Sequence, residues 1–212
     1  MQLISKIIRA GNEVRLSRFH TLRGELISKR EMISLPFELI LRLLGFERSG
    51  PWLSKSAIKE LSRLLKDGKD MRVLEIGGGR STSYFSKRTT FLMTIEEDSE
   101  WASHIQHQIN KGNHEFQLIN SNLEDWLFTR TKQNMDFDIV LIDGGSDIAR
   151  KKALEILPML NPMAVYVLDN SDRTIFHQIN FHSPPVKLIR RSGMIRHPFQ
   201  ATETTFYFFN QY

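Results

Sequence analysis

The 212-residue sequence contains no cysteine, which excludes disulfide bonds and thiolate metal sites. No apolar run reaches the length of a membrane-spanning helix, and the charged start Met1 to Arg9 lacks the apolar core of a signal peptide. With 41% hydrophobic and 25% charged residues, the composition is that of a globular domain with its own core. We expect the protein in the cytoplasm, with peripheral contact at the inner membrane surface as a second option.

Acidic residues are scarce at the start of the chain. Residues 1–30 contain seven basic and two acidic side chains, a net charge of +5, which equals the net charge of the whole chain. Residues 31–212 therefore sum to zero. A neutral main domain argues against an enzyme that wraps a nucleic acid across its main face. No nucleic-acid partner is expected.

Residues 1–50 predict a basic helical cap with a linker, and residues 51–212 predict one domain. Apolar residues recur at roughly helical spacing over residues 3–27, with arginines between them, which predicts an amphipathic helix. A second, short apolar helix is predicted over residues 37–44, directly after Pro36, which opens it. Two roles fit this cap. It packs on the domain or on a second subunit of a homodimer, or it docks on anionic lipid or a lipid-linked substrate.

Apolar strands alternate with helical patterns through most of the remaining sequence, which is the rhythm of a parallel α/β sheet. Five such strands are predicted at residues 73–76, 91–96, 116–119, 137–143 and 165–170. Two further strands, at residues 186–190 and 204–209, predict a closing antiparallel hairpin around a loop over residues 192–202.

The most informative motif follows the first of these strands. Glu75 lies within the strand, Gly77 to Gly79 follow it, and small polar residues then begin a helix. A strand, a glycine turn and a helix in this order hold a nucleotide-like ligand against the backbone. A dinucleotide fingerprint would need a further glycine at position 82, where the sequence has Thr82. This difference disfavours a nicotinamide-dependent enzyme.

The segment from Glu75 to Gly79 resembles motif I of class I S-adenosylmethionine-dependent methyltransferases. The resemblance implies an α/β fold with a Rossmann-like, doubly wound, seven-stranded sheet, mostly parallel and closed by the C-terminal antiparallel hairpin. It also implies that the glycine turn holds the methionine part of S-adenosylmethionine, that Glu96 binds the ribose, and that Asn122 meets the adenine. The predicted cofactor-binding residues are Glu75, Gly77, Gly78, Gly79, Ser81, Thr82, Glu96, Asn122 and Asp143.

Polar residues also end the fourth and fifth strands. Because the carboxyl ends of parallel strands meet at one edge, we expect Asp143 to lie near Asp169 and Asn170. This pairing resembles the magnesium site of catechol-type O-methyltransferases, which implies these three residues as oxygen ligands of Mg²⁺. That family places a lysine base three residues after the first aspartate, whereas this chain has Ser146. Direct substrate contact and a purely structural role stay open as alternatives.

The sequence after the fourth strand favours an oxygen acceptor for the methyl group. Amino-directed nucleic-acid methyltransferases carry an Asn/Asp-Pro-Pro-aromatic tetrad there, and this chain has Asp143-Gly144-Gly145-Ser146. Residues 50–210 also resemble small bacterial methyltransferases encoded with glycan-building enzymes, which implies a sugar or another small hydroxylated substrate. The candidate bases for the hydroxyl proton are Asp143 and His197, with His177 and His182 as further options.

The predicted function is S-adenosylmethionine-dependent O-methylation of a sugar, a glycan or another small molecule. The alternative is a non-catalytic protein with this fold that acts through residues 1–44 as an assembly or membrane-targeting module. The intact Glu75, glycine turn and Glu96 argue against a decayed cofactor site.

Overall fold

The structure is a computed structural model that describes residues 9–10, 13–44, 50–65, 70–106, 112–119, 123–130, 136–195 and 199–210. The helices in these ranges are α1 (Lys29–Leu43), α2 (Lys55–Leu64), α3 (Arg80–Ser86), α4 (Ser99–Gln106), α5 (Leu123–Arg130) and α6 (Asp147–Leu160), with a 3₁₀ turn at Thr174–His177. The strands are β1 (Arg9–Ala10), β2 (Glu13–Val14), β3 (Arg72–Ile76), β4 (Phe91–Glu96), β5 (His114–Leu118), β6 (Ile139–Ile142), β7 (Val165–Leu168), β8 (Lys187–Ile195) and β9 (Gln200–Phe208).

Seven of the strands form one sheet in the order β5-β4-β3-β6-β7-β9-β8. The strands from β5 to β7 pair in parallel, while β9 runs antiparallel to both β7 and β8. This arrangement confirms the predicted fold class. The chain winds outward from β3 to β5 and then returns to the other side of β3 with β6. The winding direction therefore changes between β3 and β6, where α/β sheets of this kind bind their ligands.

The sheet is buried on both faces, which explains its nearly continuous apolar strands. Successive residues of β3 point to opposite faces, so Val73 joins one buried cluster and Leu74 joins the other. The cluster of Val73 includes Leu61 from α2. The cluster of Leu74 includes Leu127 from α5 and Leu154 from α6. Two layers of helices thus hold the sheet and fix its carboxyl edge.

The C-terminal hairpin is longer than its sequence pattern predicted. The predicted loop over residues 192–202 is wrong, because β8 continues to Ile195 and β9 begins at Gln200. Residues 192–195 pair with residues 200–203 in regular antiparallel register. Burial of Met194 and Ala201 in a small apolar cluster stabilises this extension.

The segment before α1 is not the amphipathic helix that its periodicity predicted. Within the described part of that segment, β1 and β2 form a two-stranded ribbon and residues 15–27 contain no helix; residues 1–8 lie outside the described residues. The physical reason is long-range polar contact. Arg15 Nη1 lies 3.4 Å from Asp172 Oδ2, and Arg23 Nε lies 3.2 Å from Glu203 Oε1. These contacts to the far end of the chain override local helical preference.

Helix α1 begins at Lys29, earlier than predicted, and Pro36 lies inside it. Ser28 explains the early start, because its Oγ accepts a hydrogen bond of 3.2 Å from the backbone N–H of Glu31. The Glu31 carboxylate in turn accepts a 2.9 Å bond from the backbone N–H of Met194, which fixes α1 to β8. Burial raises the pKa of Glu31 despite this bond. None of the described helices is long and apolar enough to cross a membrane.

Candidate active site

A cavity of about 290 Å³ opens at the carboxyl ends of β3, β4 and β6, where the winding direction changes. Its walls come from three turns and from the segment before α2. The lining residues are Trp52, Gly77, Gly78, Gly79, Arg80, Ser81, Glu96, Trp101, Asp143 and Gly144. Six of the predicted cofactor-binding residues therefore meet around one space, namely Gly77, Gly78, Gly79, Ser81, Glu96 and Asp143.

The glycine turn after β3 packs against the turn after β6, and this contact determines its conformation. Gly77 has φ +92°, a left-handed conformation that favours glycine. A Cβ at Gly77 would lie 2.2 Å from the backbone nitrogen of Gly144, so the two turns touch backbone to backbone. Gly79 differs, because the atom closest to a Cβ placed there would be the Ser81 hydroxyl oxygen, 4.0 Å away. Gly77 is thus required by packing, while Gly79 leaves open space.

Glu75 lies beneath the turn and is fully buried. Its Oε2 accepts hydrogen bonds from the hydroxyls of Thr82, at 2.6 Å, and Thr94, at 2.9 Å. The Thr82 hydroxyl also accepts a 2.8 Å bond from the backbone N–H of Gly79. A chain of hydrogen bonds therefore runs from the buried carboxyl group to the turn. Glu75 and Thr82 act on the cavity through the turn, and their direct contact with a cofactor stays a prediction.

The buried position of Glu75 changes its acidity. Burial raises the pKa of Glu75 to about 7, although the hydrogen bonds from neighbouring hydroxyls act in the opposite direction. Its second oxygen, Oε1, has no hydrogen-bond partner among the described residues. Near neutral pH the protonated and the ionised forms of Glu75 are therefore both populated.

Glu96 ends β4 and links the first two strand ends. Its Oε1 accepts hydrogen bonds from the backbone N–H groups of Glu97, at 2.8 Å, and Asp98, at 3.0 Å. Its Oε2 accepts one 2.9 Å bond from Gly78 N–H. Since a carboxylate oxygen can accept two hydrogen bonds, Oε2 keeps one free lone pair at the cavity. This is the acceptor that a ribose hydroxyl requires.

Two tryptophans contribute aromatic surface to the cavity. Trp101 is 39% exposed, and its indole Nε1 donates a 2.7 Å hydrogen bond to the Gly78 carbonyl. Trp52 is 43% exposed, and the Arg80 guanidinium lies 5.9 Å from the centre of its ring. The hydrogen bond fixes Trp101 to the glycine turn. Large exposed aromatic faces at a cavity offer stacking surfaces to a planar ring.

Asp143, which follows β6, provides the acidic side chain on the other side of the cavity. Its side chain is 31% exposed, and Oδ1 lies 3.9 Å from Nη2 of Arg150 on α6. Burial raises the pKa of Asp143, and the Arg150 and Arg173 guanidinium groups oppose that shift. Arg150 itself is only 3% exposed and donates from Nη2 to the carbonyl oxygens of Ile142, at 3.2 Å, and of Asp169. A buried cation thus joins the ends of β6 and β7.

Asp169 and Asn170 follow β7, as predicted, but the protein already engages their side chains. Asp169 accepts hydrogen bonds from Thr204, at 2.7 Å, and from the Asn170 amide, at 2.8 Å. The Asn170 oxygen accepts a 3.0 Å bond from Thr202. Burial, followed by repulsion from Asp143, raises the pKa of Asp169 to about 7.

These contacts do not fit the predicted magnesium site. A divalent ion needs several free oxygen ligands that face one point. Here Asp169 and Asn170 bond to each other and to β9, and the Arg150 guanidinium already lies against the ends of both strands. Across the ranges that the structure describes, no group of three or more acidic or histidine side chains could hold a metal ion.

Of the other predicted residues, two are described and lie away from the cavity, and two cannot be placed. Asn122 and His197 lie outside the described residues. His177 is exposed, and its Nε2 lies 3.1 Å from the carbonyl oxygen of Asp172. His182 is exposed as well, and neither histidine lines the cavity.

Sequence reasoning missed Trp52, Arg80 and Arg150. Trp52 precedes a helix and belongs to no strand-end motif, so only the three-dimensional packing brings it to the cavity. Arg150 stands among charged residues of an amphipathic helix, where a solvated position is the usual expectation. The one available signal was the position of Arg150 in the first turn of the helix that follows Asp143.

Solved structures share this fold. An O-methyltransferase from Bacillus cereus, solved with S-adenosylhomocysteine, is 17% identical with a TM-score of 0.59, covering 85% of this chain and 92% of that one. The O-methyltransferase TomG from Streptomyces achromogenes, involved in tomaymycin synthesis and solved with S-adenosylmethionine, is 20% identical with a TM-score of 0.51, covering 72% and 78%. An rRNA methylase from Streptococcus thermophilus is 10% identical with a TM-score of 0.54, covering 74% and 99%.

These likenesses establish the class I methyltransferase fold for this chain. One of these proteins takes part in tomaymycin synthesis and another is an rRNA methylase, so the fold does not select an acceptor. No protein-family model matches the sequence, and no curated protein matches it either. Function must therefore be argued from the site.

Proposed function

We propose that this chain is an S-adenosylmethionine-dependent O-methyltransferase that acts on a hydroxyl group of a small molecule. The observation that carries the proposal is the cavity at the carboxyl ends of β3, β4 and β6. It combines two exposed indoles, a carboxylate with an unused lone pair, and a second, partly exposed acid. Each of these groups matches a different part of the cofactor.

The cavity residues would hold the cofactor as follows. The indole faces of Trp52 and Trp101 are surfaces on which adenine would stack. Glu96 Oε2 would accept a hydrogen bond from a ribose hydroxyl, because it accepts only the N–H of Gly78. The carboxylates of Glu96 and Asp143 would attract the positively charged sulfonium. The open space at Gly79 leaves the backbone of the turn accessible.

When bound, S-adenosylmethionine supplies an electrophilic methyl group, which an acceptor oxygen attacks in line with the leaving sulfur. Asp143 is the residue of this chain that we assign to take the hydroxyl proton, because it is the aspartate at the cavity. Its raised pKa makes it a stronger base than an ordinary aspartate, while Arg150 and Arg173 favour its ionised form. No step is assigned to a divalent ion.

A sugar or glycan hydroxyl is the acceptor that we propose within this class. Support comes from the sequence, where Asp143-Gly144-Gly145-Ser146 replaces the base-gripping tetrad of amino-directed enzymes. The neutral charge of residues 31–212 also suits an uncharged, hydroxyl-rich substrate better than a polyanion.

Calorimetric titration with S-adenosylhomocysteine tests the cofactor assignment. We expect saturable binding by the wild-type protein and roughly 100-fold weaker binding by Gly79→Phe, because the new ring would fill open space at the cavity. Gly112→Phe is the matched control, since a Cβ there meets nothing within 4 Å, a Cβ at Gly79 meets only the Ser81 hydroxyl at 4.0 Å, and Gly112 does not line the cavity. Absence of binding by the wild-type protein, or equal loss in both variants, would refute the assignment.

Transfer itself is tested separately. Intact protein, labelled S-adenosylmethionine and a panel of glycans are incubated, and methylated products are identified by mass spectrometry. We expect label on a sugar oxygen and its loss with Asp143→Asn. Cofactor binding without transfer to any hydroxylated compound would favour the non-catalytic alternative.

A further inference from the structure

Helix α1 exposes a row of apolar side chains, which we call the outer stripe. Its members Ile33, Phe37, Ile40 and Leu44 are 79%, 63%, 53% and 65% exposed. Leu44 belongs to the row because its backbone N–H still bonds to the Ile40 carbonyl at 3.0 Å. At about 100° per residue, the spacing of four, three and four places all four side chains within about 60° of one another. They form one continuous surface.

The outer stripe is not the face through which α1 packs on the domain. Leu35 lies on the opposite side of the helix and is buried in a cluster with Ile27, Met194 and Ala201. Glu31 binds the backbone of β8 from the same region. Among the side chains that the structure describes, helix α1 is therefore apolar on two faces and packs on the domain through the inner one. An amphipathic helix of a globular protein has its apolar residues on the packed face alone.

Positive charge surrounds the outer stripe where α1 begins. Lys29 and Arg30 are both exposed, and helical geometry places them on either side of the stripe. Cations in the first turn of a helix are disfavoured by the helix dipole, so helix stability does not account for them. Residues 1–30 as a whole carry a net charge of +5, while the rest of the chain is neutral.

We propose that the outer stripe and its flanking Lys29 and Arg30 form a docking surface for an anionic lipid bilayer. Apolar side chains on one face of a helix enter the boundary between headgroups and acyl chains, and flanking basic side chains reach the negative headgroups. The combination of exposure, spacing and charge matches this occupant. The proposal does not depend on methyl transfer.

A second copy of the chain fits the surface less well. The exposed Lys29 and Arg30 beside the outer stripe of one copy would face the same two cations of the other and repel them. A specific protein interface also takes about 20–30 residues a side, far more than the four side chains of the outer stripe. A negatively charged bilayer attracts the basic side chains instead of repelling them. It can also take up four apolar side chains without a large interface.

Co-sedimentation of the intact protein with vesicles tests the proposal. Vesicles of phosphatidylcholine alone are compared with vesicles that also contain phosphatidylglycerol, at low and at high salt. We expect binding to the anionic vesicles at low salt and weaker binding to both the neutral vesicles and the anionic vesicles at high salt, because salt screens the contribution of the basic residues.

Three variants assign the binding to this surface. Phe37→Asp/Ile40→Asp places charge in the outer stripe and is expected to lower partitioning roughly 100-fold or more. Lys29→Gln/Arg30→Gln is expected to lower partitioning to anionic vesicles roughly 20- to 30-fold. Met159→Asp/Val186→Asp is the matched control, since these side chains are 56% and 52% exposed elsewhere on the surface. We expect it to bind like the wild type.

The folding of each variant is checked by circular dichroism and by its melting temperature, which exposed substitutions leave nearly unchanged. Failure of the wild-type protein to bind anionic vesicles would overturn the proposal. Equal binding by Phe37→Asp/Ile40→Asp would remove the outer stripe from it. A wild-type dimer in light scattering that this variant converts to monomer, without vesicle binding, would assign the surface to a second copy instead.

Discussion

The strand ends on the two sides of the cavity belong to one sheet edge but are built differently. At β3 and β4 the Glu96 carboxylate keeps unused capacity at the cavity, since its Oε2 accepts a single N–H, while Glu75 lies fully buried beneath the glycine turn. At β6 and β7 the protein engages its own polar groups, with Asp169 bonded to Thr204 and Asn170. Arg150 adds a buried cation there.

The difference separates two tasks within one site. Open lone pairs suit the reversible binding of a ligand, because the ligand completes hydrogen bonds that the protein leaves unmade. On the other, closed side, burial raises the pKa of Asp143 while the Arg150 and Arg173 guanidinium groups oppose the rise, and such control of acidity suits proton transfer. Substitutions on the two sides should therefore have different consequences.

The contact between the two sides is the most sensitive point. Gly77→Ala places a Cβ 2.2 Å from the Gly144 nitrogen in a residue with φ +92°, so we expect a loss of at least about 4 kcal/mol in the free energy of unfolding. Gly79→Ala should change that free energy by less than about 1 kcal/mol, since its Cβ meets open space. Urea unfolding measures both. Equal losses would mean that the two turns are not in contact.

On the closed side, Arg150→Met should be strongly destabilising. It removes the Arg150 donor to the Asp169 carbonyl, removes one of two donors to the Ile142 carbonyl, and takes away the buried cation beside Asp143, which costs about 3–5 kcal/mol. Arg63→Met is the control, because Arg63 is 63% exposed in its ion pair with Glu60 and should contribute less than about 1 kcal/mol. A small effect of Arg150→Met in urea unfolding would show that the network is not held by this cation.

On the open side, Glu75 should make stability depend on pH. Its folded pKa of about 7 lies above the unfolded value of 4.5, so its stabilising contribution is complete below pH 4.5 and is lost as the pH rises through 7. Glu75→Gln removes this titration. The unfolding free energy of the wild type should therefore fall by about 2–3 kcal/mol relative to the variant between pH 4 and pH 8. A constant difference across this range would contradict the buried, unpartnered carboxyl group.

A smaller effect is expected at the aromatic wall. Trp101→Phe keeps an aromatic face but deletes the hydrogen bond from Nε1 to the Gly78 carbonyl. We expect S-adenosylhomocysteine to bind about five- to tenfold more weakly, the equivalent of about 1 kcal/mol. Calorimetry measures the change, and Trp126→Phe is a control because Trp126 does not line the cavity. Equal weakening in both variants would argue against a role for Trp101 in binding.

The smallest expected effect is that of metal removal. Since Arg150 and the β9 threonines already engage the strand ends, exhaustive chelation should change neither the affinity for S-adenosylhomocysteine nor the melting temperature. Calorimetry and thermal unfolding with and without Mg²⁺ check this expectation. Saturable Mg²⁺ binding that Asp143→Asn abolishes would show that the strand ends rearrange to form the predicted metal site.

The sheet and one side of the site were predictable because their signals are local. Continuous apolar runs bounded by acids identify buried parallel strands, and three glycines after Glu75 identify the turn. Parallel topology then forces Glu96 and Asp143 to the same edge. The direct environment of Glu75 was not predictable, because its partners Thr82 and Thr94 come from α3 and β4, so no local pattern joins all three.

The N-terminal segment and the closed side were not predictable for a related reason. The apolar spacing of residues 3–27 is that of a helix, yet Arg15 and Arg23 bond to Asp172 and Glu203, which lie 157 and 180 positions further along the chain. The sequence around Arg150 does not indicate whether its guanidinium group is buried or solvated. Short-range patterns contain no information about such pairs, and only the assembled sheet brings their members together.

The bonds of Arg15 to the Ala201 carbonyl and of Arg23 to Glu203 tie the N-terminal segment to β9, and Arg15 also pairs with Asp172 after β7. During synthesis the ribosome releases residues 15–27 long before β9 exists, so this segment must wait without its partners until almost the whole polypeptide has emerged. Contacts of such long sequence separation form late and slowly. Docking of the N-terminal segment therefore follows the synthesis of β9, because a chain that stops before β9 would leave Arg23 without Glu203 and Arg15 without the Ala201 carbonyl.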